Sequence, residues 1–281
     1  MNTKSLHTKS MNTQSPNTQS ELTIIIPAKN EAKLIPNLLT SLTKQDYSKM
    51  PSTRVLVADA NSTDGTPDIV MSFRDRLNVS VIPGGMPAVG RNRGARQADT
   101  RYVLFCDADV EMGHPSVIRR AVEAAQQKQL QCVTTNVLCP EGSWFDKLVY
   151  AGNDIFQQLS RLHKPFATGM FMLFDRKKFL KLGGFNEQAQ FAEDYLLSQQ
   201  VKRSRFGIVF GGVYTTNRRF EKMGHWRVMR LFFRTAFNYW NKSFFLRDHK
   251  YWAHLEEGNQ PDLQRPAMAA GPSLPGDSLE L

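Results

Sequence analysis

Cysteine is scarce. Cys106, Cys132 and Cys139 are the only three in 281 residues, and they have no metal-ligand spacing. This excludes a disulfide framework and a cysteine-based zinc site. It points to a reducing compartment in which the thiols act as small apolar fillers. The six histidines show no ligand spacing either. No window of 18 residues is free of charge, so no spanning helix is expected. The opening MNTKSLHTKS has no apolar core, so no secretory signal is expected. Acidic residues are in deficit, 26 against 36 Lys+Arg, giving a formal net charge of +10. What remains is ordinary: 41% apolar and 22% charged residues, enough to bury one large α/β core or two small ones.

The basic excess is concentrated. Residues 218–250 hold nine Lys/Arg and two acids, whereas residues 251–281 hold one Arg and five acids. Such a basic segment suits nucleic acid, an anionic membrane surface or a phosphate-rich substrate. Its apolar residues decide among these. Trp226, Met229, Phe233, Phe237, Trp240 and Phe244 recur at spacings of three or four, with Arg227, Arg230 and Arg234 on another face. This pattern predicts an amphipathic helix over 225–247 that lies on an anionic bilayer. Bulky aromatics on one helical face favour burial over base stacking, and no nucleic-acid motif is present, so no nucleic-acid partner is expected.

Both ends read as tails. Residues 1–20 repeat NTKS, HTKS, NTQS and NTQS every five residues and have almost nothing to bury. Residues 258–281 are rich in Pro, Gly and Ala and carry no helical or strand period. Between the tails, apolar runs alternate with helical periods. Strands are predicted at Leu22–Ile26, Arg54–Ala58, Val79–Ile82, Tyr102–Cys106 and Gln131–Val137. Helices are predicted after each of the first four, among them Ala88–Ala98 and Pro115–Gln127. This alternation predicts a mostly parallel sheet with helices on both faces, and ligands at the carboxyl ends of its strands.

Two carboxylates stand at such an end, in Phe105-Cys106-Asp107-Ala108-Asp109. Residues i and i+2 of an extended chain point to one side. Paired carboxylates there suit a Mg²⁺ or Mn²⁺ ion shared with substrate phosphates. On its own, the pair is equally a solvated loop with a helix-capping acid.

Further segments keep register with it. They are Ile24-Ile25-Ile26-Pro27-Ala28-Lys29-Asn30-Glu31, Ala58-Asp59-Ala60-Asn61-Ser62-Thr63-Asp64-Gly65-Thr66, Gly90-Arg91-Asn92-Arg93-Gly94-Ala95, Thr168-Gly169-Met170 through Leu182-Gly183-Gly184-Phe185-Asn186-Glu187, and Glu193-Asp194-Tyr195-Leu196-Leu197. Over residues 21–220 this order resembles the inverting family 2 glycosyltransferases of GT-A fold. The resemblance implies a Rossmann-like GT-A domain over 21–217, and the charge and helical period set a basic helical segment after it over 218–257. It implies transfer of a sugar from a nucleotide-sugar, in the manner of hexosyltransferases. Ala28 and Glu31 would edge the base and ribose, and Asp59 would contact the base. Arg91 would reach the nucleotide or its phosphates. Asp107, Ala108 and Asp109 would hold the nucleotide-sugar, with Asp107 and Asp109 on the metal. Asp194 would be the general base.

Two departures matter. The commoner second-strand motif has two adjacent acids, and Ala60 replaces the second, so a UDP-sugar and a GDP-sugar both stay open as donor. The Gln-x-x-Arg-Trp signature of processive synthases is absent, since Gln199-Gln200-Val201-Lys202-Arg203 ends in Ser204. A single transfer is therefore expected.

A second aromatic-apolar stretch, with Trp144, Phe145, Leu148, Val149, Ile155, Phe156 and Leu159, falls where an acceptor would enter. It reads as a surface for a lipid-linked or apolar acceptor, or equally as core packing. The expected location is cytoplasmic, peripheral on the inner face of the cytoplasmic membrane. Rival readings are a nucleotidyltransferase and a non-catalytic sugar-nucleotide-binding protein at the membrane.

Overall fold

The computed structural model describes residues 20–237 and 242–247. Residues 1–19, the tail 258–281 and Trp240 of the basic helix fall outside the described residues, whereas Ser20, expected in the tail, is buried and bonds Thr53 Oγ1 at 2.8 Å.

The first half builds a parallel sheet. Strands β1 (Leu22–Ala28), β2 (Arg54–Asp59), β3 (Asn78–Pro83) and β4 (Tyr102–Phe105) stand in the order β3-β2-β1-β4, all parallel. Leu22, Ile24, Ile25 and Ile26 have no exposed surface, because this sheet is covered on both faces. The two-residue period of β1 divides the core. Leu22, Ile24 and Ile26 pack with Ile35, Leu38, Leu39 and Leu42 of α1 (Ile35–Thr43) and with Val70 of α2 (Thr66–Met71). Ile25 points the other way, among Ala88 and Ala95 of α3 (Pro87–Gln97). The α3 helix lies very close to β1: a Cβ on Gly94 would come within 2.6 Å of Ile25.

The second half adds strands that the alternation did not reveal. They are β5 (Val110–Met112), β7 (Met172–Asp175) and β8 (Phe206–Thr215), joined to the expected β6 (Cys132–Leu138). The eight-stranded order is β3-β2-β1-β4-β7-β6-β8-β5. β7 runs antiparallel to both β4 and β6, and β5 antiparallel to β8, while β6 and β8 are parallel. Helix α4 (Val117–Gln127) buries Val117, Ile118, Ala121, Val122 and Ala125 on the face shared with α1. Helices α6 (Arg176–Lys181) and α7 (Glu193–Ser198) supply Phe179 and Leu197 to the opposite face.

Helix α5 (Trp144–Ser160) is different. Its buried residues are Asp146, Gln157 and Ser160, and its large apolar side chains face outward. Core packing is thereby excluded for Trp144, Leu148, Ile155, Phe156 and Leu159, while Tyr150 packs partly buried against the core. After β8 come α8 (Arg218–Met223), α9 (His225–Phe237) and α10 (Lys242–Leu246). Here the single lipid-facing stripe expected over 225–247 is corrected. Trp226 is exposed, but Phe244 is buried with Phe245 against Phe191 and Tyr195. The side chains of Phe233 and Phe237 lie outside the described residues. No described helix is long and apolar enough to cross a membrane.

Candidate active site

The expected site residues gather at the carboxyl ends of β1, β2 and β4. Ala28 and Asp59 close their strands as register partners, and Asp107 follows β4 by two residues. The loops after β1 and β2 are laced together by side chains. The Asn30 N–H donates to Ser62 Oγ at 2.8 Å, and the Thr63 N–H donates to Asn30 Oδ1 at 2.9 Å. Glu31 N–H reaches Thr66 Oγ1 at 2.9 Å, and Ala32 N–H reaches Asp64 Oδ2 at 2.9 Å. Asn30 and Asn61 both take left-handed backbone, which Asn tolerates. Asp64 is thus a loop acid that also holds the Thr66 N–H, and not a ligand candidate.

Asp59 Oδ2 accepts from the Ser62 N–H at 3.0 Å. Its Oδ1 is buried and has no partner. A buried carboxylate oxygen left so is costly, and it is aimed for a donor that the protein does not supply.

Two arginines organise the carboxylates. Arg91, on α3, is 3% exposed and pairs with Asp107 Oδ1 and Glu193 Oε1, each at 2.5 Å. Burial works against its charge, but Asp107, Glu193 and Asp194 together more than offset it and hold the guanidinium firmly protonated. Arg91 therefore stands within the protein as a tie between the β4 end and α7. Arg218, at the start of α8, donates to both oxygens of Glu31, at 3.0 and 2.8 Å, and to Asp109 Oδ2 at 3.2 Å. Burial raises the Glu31 carboxyl, Arg218 lowers it, and Asp109 and Asp107 raise it; the net shift is upward. Asp109 is raised by burial and then by Asp107, against lowering by Arg218 and Arg219. Ala108, between the two acids, is buried.

Asp194 lies in the first turn of α7. The chain enters through Ala192 at φ 54°, a left-handed conformation uncommon for alanine that turns Glu193 and Asp194 inward. Asp194 Oδ2 accepts from the Gly169 N–H at 2.6 Å and Oδ1 from the Tyr195 N–H at 2.7 Å. Burial first, and then the Glu193 charge, push this carboxyl up to about 6, against lowering by Arg91 and the two N–H groups. Gly169 also leaves room for Arg91, because a Cβ there would come within 2.5 Å of Nη2. The base candidate and Asp107 are in this way neighbours across one guanidinium.

Asp107 and Asp109 fit a divalent cation. Each engages its arginine through one oxygen, leaving another as a hard donor. Among the described residues no cluster of three or more His, Cys, Asp or Glu could hold a metal. Two carboxylates with phosphate oxygens completing the shell is how Mg²⁺ is commonly bound, rather than in an all-protein cage.

Glu193 is the residue the sequence reading missed. Its only signal was its position beside Asp194. The cysteines are buried and free, as expected. His225 holds Asp146 at 2.7 Å and stacks on Phe220, an interface role rather than a phosphate contact.

A family model described as glycosyl transferase family 2 matches residues 23–183. Poly(ribitol-phosphate) beta-N-acetylglucosaminyltransferase TarS of Staphylococcus aureus is 40% identical over 93 residues, covering 32% of this chain and 16% of TarS. The 4,4'-diaponeurosporenoate glycosyltransferase of Staphylococcus haemolyticus is 24% identical over 238 residues, covering 79% of this chain and 60% of that protein. The chain thus spans less than two thirds of either relative. Among solved structures, S. aureus TarS 1-349 in complex with UDP matches with TM-score 0.54 and 24% identity, over 69% of this chain and 60% of that one. Mannosyltransferase PcManGT from Pyrobaculum calidifontis, in complex with GDP-Man and Mn²⁺, matches with TM-score 0.58 and 21% identity, over 77% and 65%. These structural likenesses show the shared GT-A fold.

Proposed function

Because the chain belongs to glycosyl transferase family 2, we propose that it moves one sugar from a UDP- or GDP-sugar to a hydroxyl or lipid-linked acceptor, with inversion. The observation that carries this is the convergence of Asp107, Asp109 and Asp194 through the two arginine ties, Arg91 to Asp107 and Glu193, and Arg218 to Glu31 and Asp109.

The loops after β1 and β2 bind the nucleoside. Ala28 provides a small wall, Glu31 a carboxylate edge, and Asp59 Oδ1 an acceptor for a base N–H. Asp107 and Asp109 would hold Mg²⁺ or Mn²⁺, which when bound serves as a Lewis acid toward the leaving diphosphate. Arg91 acts as a positioning residue, fixing the Asp107 carboxylate by a charge-assisted bond. On the other side, Asp194 takes the proton of the acceptor hydroxyl as its oxygen attacks the anomeric carbon. Its two N–H partners fix the carboxylate plane and leave further lone pairs for that proton. Such general-base assistance is worth about 10²–10⁴-fold. The bond to the sugar breaks as the new one forms, and a nucleoside diphosphate departs.

The ligands of its relatives agree with this reading: TarS is solved with UDP, and the mannosyltransferase with GDP-Man and Mn²⁺. We place the reaction on the inner face of the cytoplasmic membrane, given the basic C-terminal segment. Turnover of UDP- and GDP-sugars with Mn²⁺ tests the proposal. Release of nucleoside diphosphate is expected. Release of pyrophosphate from a sugar phosphate and a nucleoside triphosphate would assign a nucleotidyltransferase instead.

A further inference from the structure

Helix α5 presents an apolar stripe to solvent. Trp144 is 75% exposed, Leu148 58%, Ile155 61%, Leu159 57% and Leu162, just beyond the helix, 73%. At 100° per residue these five side chains fall within about one sixth of the helix circumference. Monomeric soluble proteins rarely leave so continuous a run uncovered.

The charged rim is mostly basic, although Glu141 before α5 and Glu221 on α8 are exposed acids. The exposed ionised side chains of 144–164 and 225–237 are Lys147, Arg161, Lys164, Arg227, Arg230 and Arg234. The two acids of α5 are turned away. Asp146 is buried under Ser143 and His225, and Asp154 accepts from the Val137 N–H at 2.9 Å. The His225–Asp146 contact at 2.7 Å and the Phe145–His225 ring contact at 5.1 Å fasten the start of α9 to the start of α5. Two tryptophans consequently flank one end of the stripe, Trp144 and the 85% exposed Trp226. An apolar helix face rimmed by cations and anchored by tryptophans has the chemistry of an element lying in the headgroup layer.

We propose that the α5 stripe, with Trp226, docks this protein on an anionic lipid bilayer. This rests on and deepens the functional reading, which argues membrane contact from the basic C-terminal segment alone. A second copy of the chain fits less well. A two-fold contact along the stripe would set these cations against their own counterparts, whereas anionic headgroups neutralise them. The stripe also borders the site. The exposed Phe156 of α5 meets Phe166 at 5.3 Å between ring centres, and Phe166 meets Tyr195, the residue after Asp194, at 5.8 Å. An acceptor held at the bilayer surface would approach from this side.

Co-sedimentation of the full chain with phosphatidylcholine vesicles, with and without phosphatidylglycerol, tests the proposal. The comparison variant is Leu148→Glu/Ile155→Glu/Leu159→Glu, whose side chains are exposed, so circular dichroism and the melting midpoint should match wild type. Wild type is expected to partition onto the anionic vesicles and the variant to lose about tenfold or more of that partitioning, since each buried CH₂ matters. A milder variant, Trp144→Ala/Trp226→Ala, should lose part of it. Equal binding by wild type and the triple variant would overturn the proposal. So would no wild-type binding, or a dimer in sedimentation velocity that the triple variant dissolves. Nucleotide-induced stabilisation of the triple variant is measured in parallel; its retention separates failure of the docking surface from failure of the transferase reading.

Discussion

Arg218 holds Asp109 across 109 positions of chain, with Nη2 at 3.2 Å from Oδ2, and holds Glu31 at 2.8 Å in the same grip. A helix that follows the last long strand thereby closes over the carboxylates at the ends of the first and fourth.

Removing that cation leaves two partly buried carboxylates facing each other. Both already sit above their ordinary range, so their ionised forms cost stability above the unfolded value, and the cost is relieved as pH falls. Arg218→Ala should therefore lose about 1–3 kcal/mol at neutral pH. That is a midpoint drop of roughly 2–4 °C per kcal/mol. The deficit should shrink as pH falls toward the carboxylate range. A deficit that grows on acidification would show that Arg218 contributes by packing and not by charge.

Gly169 serves Asp194 and Arg91 at once. Gly169→Ala puts a methyl group where Nη2 lies, 2.5 Å from the ideal Cβ position. The guanidinium must shift from Asp107 and Glu193, at a cost of about 1–3 kcal/mol. Turnover should fall more than nucleotide affinity, because Asp194 loses its position. Steady-state kinetics with unchanged kcat would remove Gly169 from the site.

Asp194 works as a base only when ionised. With its carboxyl pushed up to about 6, kcat/KM should fall as pH drops through that value. Asp194→Asn should lower kcat about 10²–10⁴-fold and abolish that acid limb. The raised value means that ionised Asp194 costs stability above its unfolded value, but Asn can accept only one of the two N–H bonds; the two effects oppose, and the Asn variant should melt close to wild type at neutral pH. Near-normal transfer by the Asn variant would sink the assignment.

The parallel half of the fold was legible because burial on both faces writes itself as unbroken apolar runs, such as Leu22–Ile26. The antiparallel half was not. Val110–Met112 is too short to show a period, and Gly207, Gly211 and Gly212 interrupt the apolar run of β8. The placement of Asp59 and Asp107 at strand ends was legible from the sequence. Arg91 as a buried tie was not, since a sequence shows a cation but not its partners 16 and 102 positions away. Helical periodicity marked one face on α5 and another over 225–247. It could not tell which side chains would be covered: Phe244 is core, whereas Trp226 and the α5 stripe are open.

The central claim is that Asp107 and Asp109 bind a divalent cation together with a nucleoside diphosphate. Thermal unfolding with UDP and with GDP, each with and without Mn²⁺, tests it most directly. At 100 times the dissociation constant a ligand adds about 2.7 kcal/mol, a readily visible shift. The account predicts stabilisation by one of the two diphosphates that requires Mn²⁺ and is lost in Asp107→Asn and Asp109→Asn. Folded wild-type protein with no shift, or a shift indifferent to the metal and to both aspartates, would contradict it.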